Sequence, residues 1–418
     1  MKKVAIVGGG IIGCCSAYYL AKAGHQVQVL DKMPKEDESG CSFVNCGYLT
    51  PSHFVPLAAP GVIQKGLKWM FNKKSPLHIA MKWDKELFRW LRLFAANSNE
   101  SHVERSSATM LALNLKSKQL YDEMIADGVA FTSHHSGLLV MARTEKGLHG
   151  EYEMADEAVK MGLKPIKLDR AALSVYEPHG EIEALGGVFY PEDGFFDPRQ
   201  LLKALRVKLT ELGVDFKHEA EVKHLSFDSD GQIAIHFNED VIRCEHLVLA
   251  AGSWTSDWNE IMGIEMPLQA GKGYSMNVTN MPFKLIHPTI LAEAKIAMTP
   301  LHDGVRIGGT MEINGRNLKI TDERLTAIKD ATSLYFPEIR KHHFRKTISN
   351  RGLRPLSPDG MPYIGNLRRR PNVTIATGHA MVGMSLGAVT GQMVARLVDG
   401  EETGFNMEIL HPQRFEKA

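Results

Sequence analysis

Residues that crosslink a chain or bind transition metals are scarce in this sequence. It has 418 residues but an odd number of cysteines with no repeated spacing, Cys14, Cys15, Cys41, Cys46 and Cys244. This pattern argues against a disulfide framework and against a zinc site. We therefore expect free thiols, a reducing compartment and no metal.

Charge of one sign and long apolar runs are also missing. The 49 basic and 48 acidic residues leave a net charge of +1, which gives no basic face for nucleic acid. No apolar run reaches the roughly 18 residues of a spanning helix, and Lys2 and Lys3 lead straight into a strand pattern rather than a signal peptide. We expect a cytoplasmic protein with two domains that binds no nucleic acid; its oligomeric state is unknown.

A strand–turn–helix–strand pattern opens the chain. The β-branched run Val4–Val7 predicts a buried strand, Ser16–Ala23 predicts a helix, and Val27–Leu30 predicts a second strand with Asp31 at its end. Between the first strand and the helix lie glycines with GxGxxG spacing, Gly8, Gly10 and Gly13.

Each of these residue types has a physical role in binding a dinucleotide. Gly8 permits the tight turn, Gly10 lets the backbone approach a pyrophosphate, and Gly13 allows the helix to pack closely on the strand. The helix N-terminus offers unpaired N–H groups to the phosphates, and Asp31 can accept bonds from the ribose hydroxyls. An acid at this position argues against NADP but leaves FAD and NAD open.

Further pieces of a nucleotide-binding domain return far downstream. The patterns predict a helix at Pro198–Leu212, a strand at Val214–Glu221 and a hairpin of two strands at Ile233–Phe237 and Val241–Cys244. They also predict a buried strand at His246–Gly252, a strand with a turn at Val373–His379 and a final helix at Gly387–Val398. A regular NAD dehydrogenase would continue without such interruption. The nucleotide domain is therefore expected to be divided by inserted segments.

With these pieces the sequence resembles the FAD-dependent D-amino-acid oxidase superfamily, especially its bacterial D-amino-acid dehydrogenase branch, which includes hydroxyproline dehydrogenase-like members. The motifs behind the resemblance cover nearly the whole chain: the N-terminal fingerprint, Ser42–Pro51, Ala58–Val62, Lys272–Tyr274, Arg306–Thr310, Gly352–Pro355, Asp359–Gly365 and Gly378–His379. The resemblance implies an α/β fold, in which a Rossmann-like FAD-binding domain carries an inserted α+β substrate domain on a mixed, largely antiparallel sheet.

Domain boundaries follow from the resemblance and the element pattern. We expect the discontinuous FAD-binding domain to comprise residues 1–52, 100–128, 197–258 and 345–418. The substrate domain would then comprise residues 53–99, 129–196 and 259–344.

The cofactor implied by the resemblance is FAD. Ser42, Asn45 and Gly47 match the family loop beside the flavin ribityl chain and ring, and a covalent link through Cys46 is not implied. The other expected cofactor contacts are Gly8, Gly10, Ile11, Ile12, Gly13, Asp31, Lys32, Cys46, Val222, Ala251, Gly252, Trp254, Arg354, Gly378, His379, Met381, Val382, Gly383 and Met384.

Arg354 is the leading candidate for the substrate. It lies in Gly-Leu-Arg-Pro, where relatives place an arginine that clamps the substrate carboxylate, and its planar fork matches a carboxylate bidentately. The resemblance also implies that Tyr274 donates its hydroxyl near that carboxylate; a core tyrosine is the alternative. Tyr48 and His53 follow the flavin loop and are weaker candidates for the pocket wall.

His379 is a candidate for a catalytic role, although a lone histidine is usually structural. Relatives commonly have glycine after this histidine and some have a basic residue soon after it. Here Ala380, Met381 and Val382 fill that stretch. A second basic contact is therefore in doubt, and backbone N–H groups at the next helix start can serve flavin O2 and N1 instead.

The function implied is oxidation of a D-amino acid, with proline or hydroxyproline among the candidates. Hydride would pass from the substrate Cα to flavin N5, leaving an imino acid for hydrolysis, and the electrons would go to a quinone or another carrier. Two alternatives stay open: a glycine, sarcosine or D-amino-acid oxidase that reduces O₂, and a non-catalytic flavin-binding subunit of a complex. The sequence names neither the substrate side chain nor its handedness.

A tryptophan- and lysine-rich region lies within the first expected segment of the substrate domain, residues 53–99. We favour helices packed on the substrate domain; the alternative is a peripheral contact with the inner face of a membrane. Its residues are Lys65, Lys68, Trp69, Lys73, Lys74, Lys82, Trp83, Lys85 and Trp90.

Gly10→Val tests the cofactor site. A branched side chain at Gly10 would fill the space that the pyrophosphate needs, so the purified variant should be colourless. A yellow protein with an ordinary flavin absorbance spectrum would disprove the site.

Overall fold

The computed structural model describes residues 1–64, 66, 75–80, 83–228 and 231–416. Of the tryptophan- and lysine-rich region, Trp69 and five of the lysines (Lys65, Lys68, Lys73, Lys74, Lys82) lie outside these residues.

The described strands, in chain order, are β1 (Lys3–Val7), β2 (Gln26–Leu30), β3 (Tyr48–Leu49), β4 (Leu77–Ile79), β5 (Ser133–His134), β6 (Leu138–Ala142), β7 (Ile166–Asp169), β8 (Gly186–Tyr190), β9 (Gly194–Phe196), β10 (Asp215–Lys217), β11 (Val222–Phe227), β12 (Ile233–Phe237), β13 (Asp240–Cys244), β14 (His246–Leu249), β15 (Gln269–Val278), β16 (Thr289–Leu291), β17 (Ile296–Leu301), β18 (Gly304–Ile313), β19 (Ile348–Leu356), β20 (Tyr363–Leu367) and β21 (Arg370–Thr377).

The described α-helices are α1 (Ile11–Lys22), α2 (Lys85–Asn97), α3 (Glu100–Ala126), α4 (Glu145–Lys160), α5 (Arg170–Tyr176), α6 (Pro198–Glu211), α7 (Asn259–Met262), α8 (Asp322–Tyr335) and α9 (Gly387–Asp399). Two 3₁₀ segments, Gly252–Trp258 and Lys341–Phe344, lie between them.

A six-stranded sheet forms the nucleotide half of the molecule, in the order β10-β2-β1-β14-β21-β20. All its neighbours are parallel except β20, which returns antiparallel to β21. Parallel strands are buried on both faces, and helices α1, α3, α6 and α9 share one apolar core with one face of this sheet. The carboxyl ends of β1, β2 and β14 therefore meet at one edge.

Close packing at that edge depends on glycine. A Cβ on Gly13 would lie 1.8 Å from the Gly8 carbonyl oxygen, and a Cβ on Gly8 would lie 2.4 Å from the Ala250 carbonyl oxygen. Gly8 also has a φ of +112°, which side chains disfavour. The GxGxxG spacing thus lets β1, α1 and β14 approach each other as the dinucleotide pattern predicted.

The second half is a mixed nine-stranded sheet. Its path runs β19-β15-β18-β17-β16-β6-β8-β7, with β4 added against β18. Most pairs are antiparallel; β16–β6 and β18–β4 are parallel. Helix α8 and the loops around it share an apolar core with β15, β17 and β18 on the outer face.

The expected fold class is confirmed, since the structure combines a Rossmann-like nucleotide half with a mixed, largely antiparallel sheet. Three details differ from expectation. Helix α1 begins at Ile11 rather than Ser16. The strand expected at Val214–Glu221 ends at Lys217, and Glu219 has a left-handed φ of +54°. Strand β19, which we placed in the FAD-binding domain, pairs with β15 along the edge of the nine-stranded sheet.

The α1–α9 contact gives a test of the nucleotide core. Gly391 of α9 faces Cys15 of α1, where an added Cβ would lie 2.5 Å from backbone atoms. Gly391→Ala should lower the thermal midpoint, because neither backbone can yield without separating the helices.

Gly150→Ala is the matched control. Gly150 lies within α4 and has open space around its Cβ position. Alanine should stabilise this helix by up to ~1 kcal/mol. Equal thermal midpoints for the two variants would contradict the close helix contact.

Candidate functional site

The glycine loop, the end of β1 and the start of α1 lie together at the carboxyl edge of the six-stranded sheet. Gly10 caps α1 without a side-chain hydrogen bond. The Ile11 N–H donates to Ser42 Oγ at 3.1 Å, which ties the helix start to the expected flavin loop. Ile12 packs against the nucleotide core. A helix start of this kind favours an anionic ligand such as a pyrophosphate.

The residues that the sequence predicts to bind the ribose and adenine of the cofactor also lie close together. The Asp31 carboxylate accepts the Met33 N–H at 3.1 Å, which aims it at the edge beside Gly9. The Lys32 ammonium lies 3.6 Å from the ring centre of Trp254, across the carboxyl ends of β2 and β14. The Asp31 carbonyl accepts the Ala220 N–H at 2.9 Å and so brings Val222 to the same end.

One residue near this loop was missed in the sequence. The Arg206 guanidinium of α6 lies 4.9 Å from the Phe43 ring and 5.3 Å from the Phe216 ring, and its buried Nε has no hydrogen-bond partner in the part of the chain that the structure describes. Its charge also lowers the pKa of Cys14, although burial dominates and raises that pKa to about 12. A guanidinium there can hold a phosphate oxygen, but an arginine in an amphipathic helix gives no signal of this in the sequence.

The expected flavin loop, Ser42–Gly47, is held by the nine-stranded sheet. The Arg306 guanidinium donates to the carbonyl oxygens of Phe43 at 3.1 Å and Asn45 at 2.7 Å. Ser275 Oγ donates to the Val44 carbonyl at 2.8 Å, and Thr299 Oγ1 to that of Cys46 at 2.7 Å. The sequence singled out Arg306 as part of a motif but gave it no role; here it is the main support of the loop.

Two features of the loop bear on its expected role. Asn45 Oδ1 accepts the Gly47 N–H at 2.7 Å, and Gly47 adopts a φ of +76° against the Phe196 carbonyl. Cys46 Sγ faces Gly308, and burial raises the pKa of the Cys46 thiol. A thiol with a raised pKa is a poor nucleophile, which disfavours a covalent bond to flavin.

The turn after β21 presents backbone donors. Gly378 has a φ of +78° against the Tyr363 ring. Met381 is 48% exposed, and Val382 donates to the His379 carbonyl. No acceptor among the described residues binds the N–H groups of Gly383, Met384 and Ser385. These donors lie just before α9, where the sequence predicted contacts to flavin O2 and N1.

His379 is buried between this turn and α9. Its Nε2 lies 3.0 Å from Thr390 Oγ1, while its buried Nδ1 has no partner among the described residues. Burial lowers the pKa of His379 to about 3, so the ring is neutral at pH 7. A neutral, anchored ring can accept or donate one hydrogen bond to a ligand but cannot supply a second positive charge.

Arg354 lies deep between the two halves. Its Nη1 donates to the Thr310 carbonyl at 2.9 Å, and its guanidinium covers Gly273, where a Cβ would lie 2.2 Å from Nη1. No carboxylate of the described ranges forms an ion pair with it. Burial lowers the pKa of Arg354, although the side chain keeps some accessible surface. Most of its donors are therefore available to an anion.

Tyr274 does not join Arg354. Successive side chains of a strand point to opposite faces, and Gly273 faces Arg354. Tyr274 is 1% exposed on the outer face, where its hydroxyl donates to Glu312 Oε2 at 2.8 Å and lies 3.2 Å from Thr321 Oγ1. The expected contact with the substrate carboxylate is thus not available to it, and the alternative of a core tyrosine fits.

Tyr48 and His53 lie beyond the flavin loop, over β16 and β17. The Tyr48 hydroxyl lies 2.9 Å from the carbonyl oxygens of Thr289 and Met298, so its ring rather than its hydroxyl can line a pocket. His53 Nδ1 lies 3.1 Å from Ser52 Oγ, which donates to buried Asp193 at 2.5 Å. Burial and the charge of Lys295 lower the pKa of His53 to about 4.

The arrangement fits FAD on grounds visible in the structure. The glycine loop leaves no room for side chains at Gly8 and Gly13. Within the described ranges, the turn before α9 has unpaired N–H donors and the buried His379 Nδ1 has no partner. Buried polar groups normally find partners, so a ligand that spans these features would complete them.

No described helix is long and apolar enough to cross a membrane. No group of three or more histidine, cysteine, aspartate or glutamate side chains in those ranges could hold a metal ion.

Comparison with known proteins gives consistent matches over the full length. The family model for FAD-dependent oxidoreductases (DAO) matches residues 3–397. The D-amino acid dehydrogenase of Rhizobium rhizogenes is 31% identical over 422 residues, covering 99% of this chain and 100% of that protein. The D-amino acid dehydrogenase of Paramagnetospirillum magneticum is 30% identical over 425 residues, covering 99% of each.

The fold is also found among solved structures. The glycine oxidase from Geobacillus kaustophilus superposes with a TM-score of 0.80 at 21% identity, covering 100% of both chains.

His379 should make stability depend on pH. The pKa of His379 in the folded protein, about 3, is below the ordinary value of 6.5. The contribution of His379 to the free energy of unfolding is therefore complete above pH 6.5 and is lost as the pH falls toward 3. The free energy of unfolding should fall by up to ~1.4 kcal/mol per pH unit for this one proton.

His379→Gln should flatten that slope in denaturant titrations between pH 6.5 and 4. His149, an exposed histidine on α4, provides the control variant His149→Gln, which should leave the slope unchanged. An unaltered slope in His379→Gln would show that the ring is accessible to protons in the folded protein.

Proposed function

The chain belongs to the DAO family of FAD-dependent oxidoreductases, and we propose that within this family it is a D-amino-acid dehydrogenase. Two relatives of that name, at 31% and 30% identity over the full length, support the proposal. The observation that carries it is Arg354, a half-buried guanidinium without an anionic partner among the described residues, beside the expected flavin loop.

Arg354 is proposed to bind the substrate carboxylate. A buried charge is costly unless it is paired and hydrogen-bonded, and a guanidinium pairs best with a planar carboxylate through two parallel bonds. The Thr310 carbonyl uses one donor, Nη1, and leaves the others for the ligand. The carboxylate of an amino acid would complete the site and fix the orientation of its Cα.

The surroundings of the amine are proposed to favour its neutral form. Desolvation disfavours an ammonium. Of the pocket candidates, Tyr48 is bonded to main-chain carbonyls, and His53, with a pKa of about 4, carries no charge at pH 7. A neutral amine has the lone pair needed to release a hydride from Cα. Bound FAD would supply the acceptor for that hydride.

The electron acceptor is proposed to be a quinone or another carrier rather than O₂. A peripheral membrane contact would suit a quinone. Trp83 is 99% exposed and lies 5.7 Å from the Phe88 ring, which is 41% exposed. Trp90, also on α2, is instead buried and donates to the Leu356 carbonyl at 2.9 Å. Of these three described aromatics, Trp83 and Phe88 are thus available to an interface.

A panel of D- and L-amino acids tests the activity. D-amino acids, with proline and 4-hydroxyproline isomers included, should bleach the flavin without oxygen and reduce an artificial acceptor. Little peroxide should form under air, whereas an oxidase would form one peroxide per turnover. Failure of every amino acid to bleach the flavin would exclude the proposed activity.

Arg354→Ala tests the clamp. KM should rise about 10- to 100-fold, as expected for the loss of a charge-assisted pair, while FAD stays bound. Arg351→Ala is the control, because Arg351 is on the same strand and binds the Leu318 carbonyl instead. An unchanged KM in Arg354→Ala for every amino acid oxidised would disprove the clamp.

A further inference from the structure

We infer that a buried cluster behind the sheet, Lys272, Tyr274 and Glu312, positions Arg354 through a strained bulge at Thr310. The inference rests on the proposed function only in that it takes Arg354 to bind a carboxylate. The three residues, called the Glu312 cluster, are positioning residues and do not touch the substrate. They lie on the outer face of β15 and β18, opposite Arg354.

The bulge follows from the pairing of the two strands. Lys272 pairs with Glu312, whereas Tyr274 pairs with Gly309. Two residues of β18, Thr310 and Met311, therefore oppose the single residue Gly273 of β15. Thr310 has a φ of +60°, a conformation that a β-branched residue rarely adopts.

The strain at Thr310 is imposed by its neighbours. Its Oγ1 is buried and has no partner among the described residues, so no bond of its own side chain favours the left-handed conformation. A cavity of about 270 Å³, lined by Thr310, Ile296 and Ile328, lies behind it. The bulge therefore has room to relax unless the adjoining strand holds it in place.

The bulge determines where the Arg354 guanidinium lies. Arg354 extends from β19 across β15, over Gly273, and its Nη1 reaches the Thr310 carbonyl at 2.9 Å. Because Thr310 is in the left-handed region, this carbonyl points to the inner face. A bulge moved by one residue would turn that carbonyl away and leave the guanidinium without its described acceptor.

The Glu312 cluster fixes the register on both sides of the bulge. Glu312 Oε2 accepts the Tyr274 hydroxyl at 2.8 Å and lies 3.3 Å from Lys272 Nζ, which also donates to the Lys319 carbonyl at 2.8 Å. Asn314 Nδ2 donates to Oε1 at 3.2 Å. Lys272 and Tyr274 flank Gly273 on β15, so Glu312 binds the residue on either side of it.

Burial makes this register costly to change. Lys272 and Tyr274 are each 1% exposed and Glu312 is 6% exposed. Burial acts to raise the pKa of Glu312, but the bonds from Tyr274 and Asn314 and the charge of Lys272 outweigh it and hold that pKa below its ordinary value. Displacing β18 would leave a buried carboxylate and a buried ammonium unpaired.

Tyr274→Phe is the direct test, because it keeps the ring and removes one bond to Glu312. In the holoenzyme, binding of a simple carboxylate such as propionate is followed by perturbation of the flavin spectrum. The dissociation constant should rise about 3- to 10-fold, the scale of one buried hydrogen bond to a charged group. For amino acids that are turned over, KM should rise by a similar factor with kcat nearly unchanged.

Tyr335→Phe is the matched control. Tyr335 is 3% exposed in the same apolar core and also donates to a carboxylate, Glu293, but it does not flank Gly273. Tyr335→Phe should change the carboxylate dissociation constant less than two-fold, while it lowers the thermal midpoint about as much as Tyr274→Phe does. An equal increase in both variants would overturn the inference, as would no increase in Tyr274→Phe.

Thr310→Gly separates positioning from general support. Glycine adopts the left-handed conformation without strain, so the bulge should hold its place without help. In the Thr310→Gly background, Tyr274→Phe should lose at least half of its effect on the dissociation constant. An undiminished effect would show that the bulge does not connect the Glu312 cluster to Arg354.

Arg354→Ala distinguishes a failure of the proposed function from a failure of the positioning role. If propionate binds the wild type more tightly than Arg354→Ala but no D-amino acid bleaches the flavin, the proposed function fails and the positioning role can stand. If propionate binds both proteins equally, Arg354 binds no carboxylate and the inference is overturned.

Discussion

The Arg306 guanidinium is the contact on which the rest of the site depends. It is 2% exposed and donates to the carbonyl oxygens of Phe43 and Asn45, while its Nε donates to Asn277 Oδ1. The flavin loop has no regular secondary structure, so these bonds hold it against the sheet. Ser42, in this loop, accepts the Ile11 N–H at the start of α1. The loop therefore contacts both halves of the molecule and joins them at one site.

Most of the nucleotide half could be predicted from the sequence because its signals are local. Glycine spacing, a β-branched strand and an acid at a strand end each report on neighbouring residues, and Gly8, Gly13 and Asp31 lie where those patterns predict. Arg206 and Arg306 had no such signal. Their importance arises from residues more than a hundred positions away, such as Phe43, which neither periodicity nor motif spacing reveals.

The position of Tyr274 could not be predicted for a different physical reason. Nearly every residue of β15 is buried on both faces, so the strand shows no alternation of polar and apolar residues. Without alternation, a sequence cannot say which side chains face the flavin loop and which face α8. The bulge in β18 adds a shift of register that only the paired strands reveal.

The order of strands in the nucleotide sheet has a consequence for synthesis. Strands β1 and β2 are made first, β14 about two hundred residues later, and β21 with α9 only near residue 399. The ribosome therefore releases the glycine loop long before the turn that contains His379. A chain still being translated cannot offer both ends of the expected cofactor site, so flavin bound there could be enclosed only after nearly all of the polypeptide has emerged.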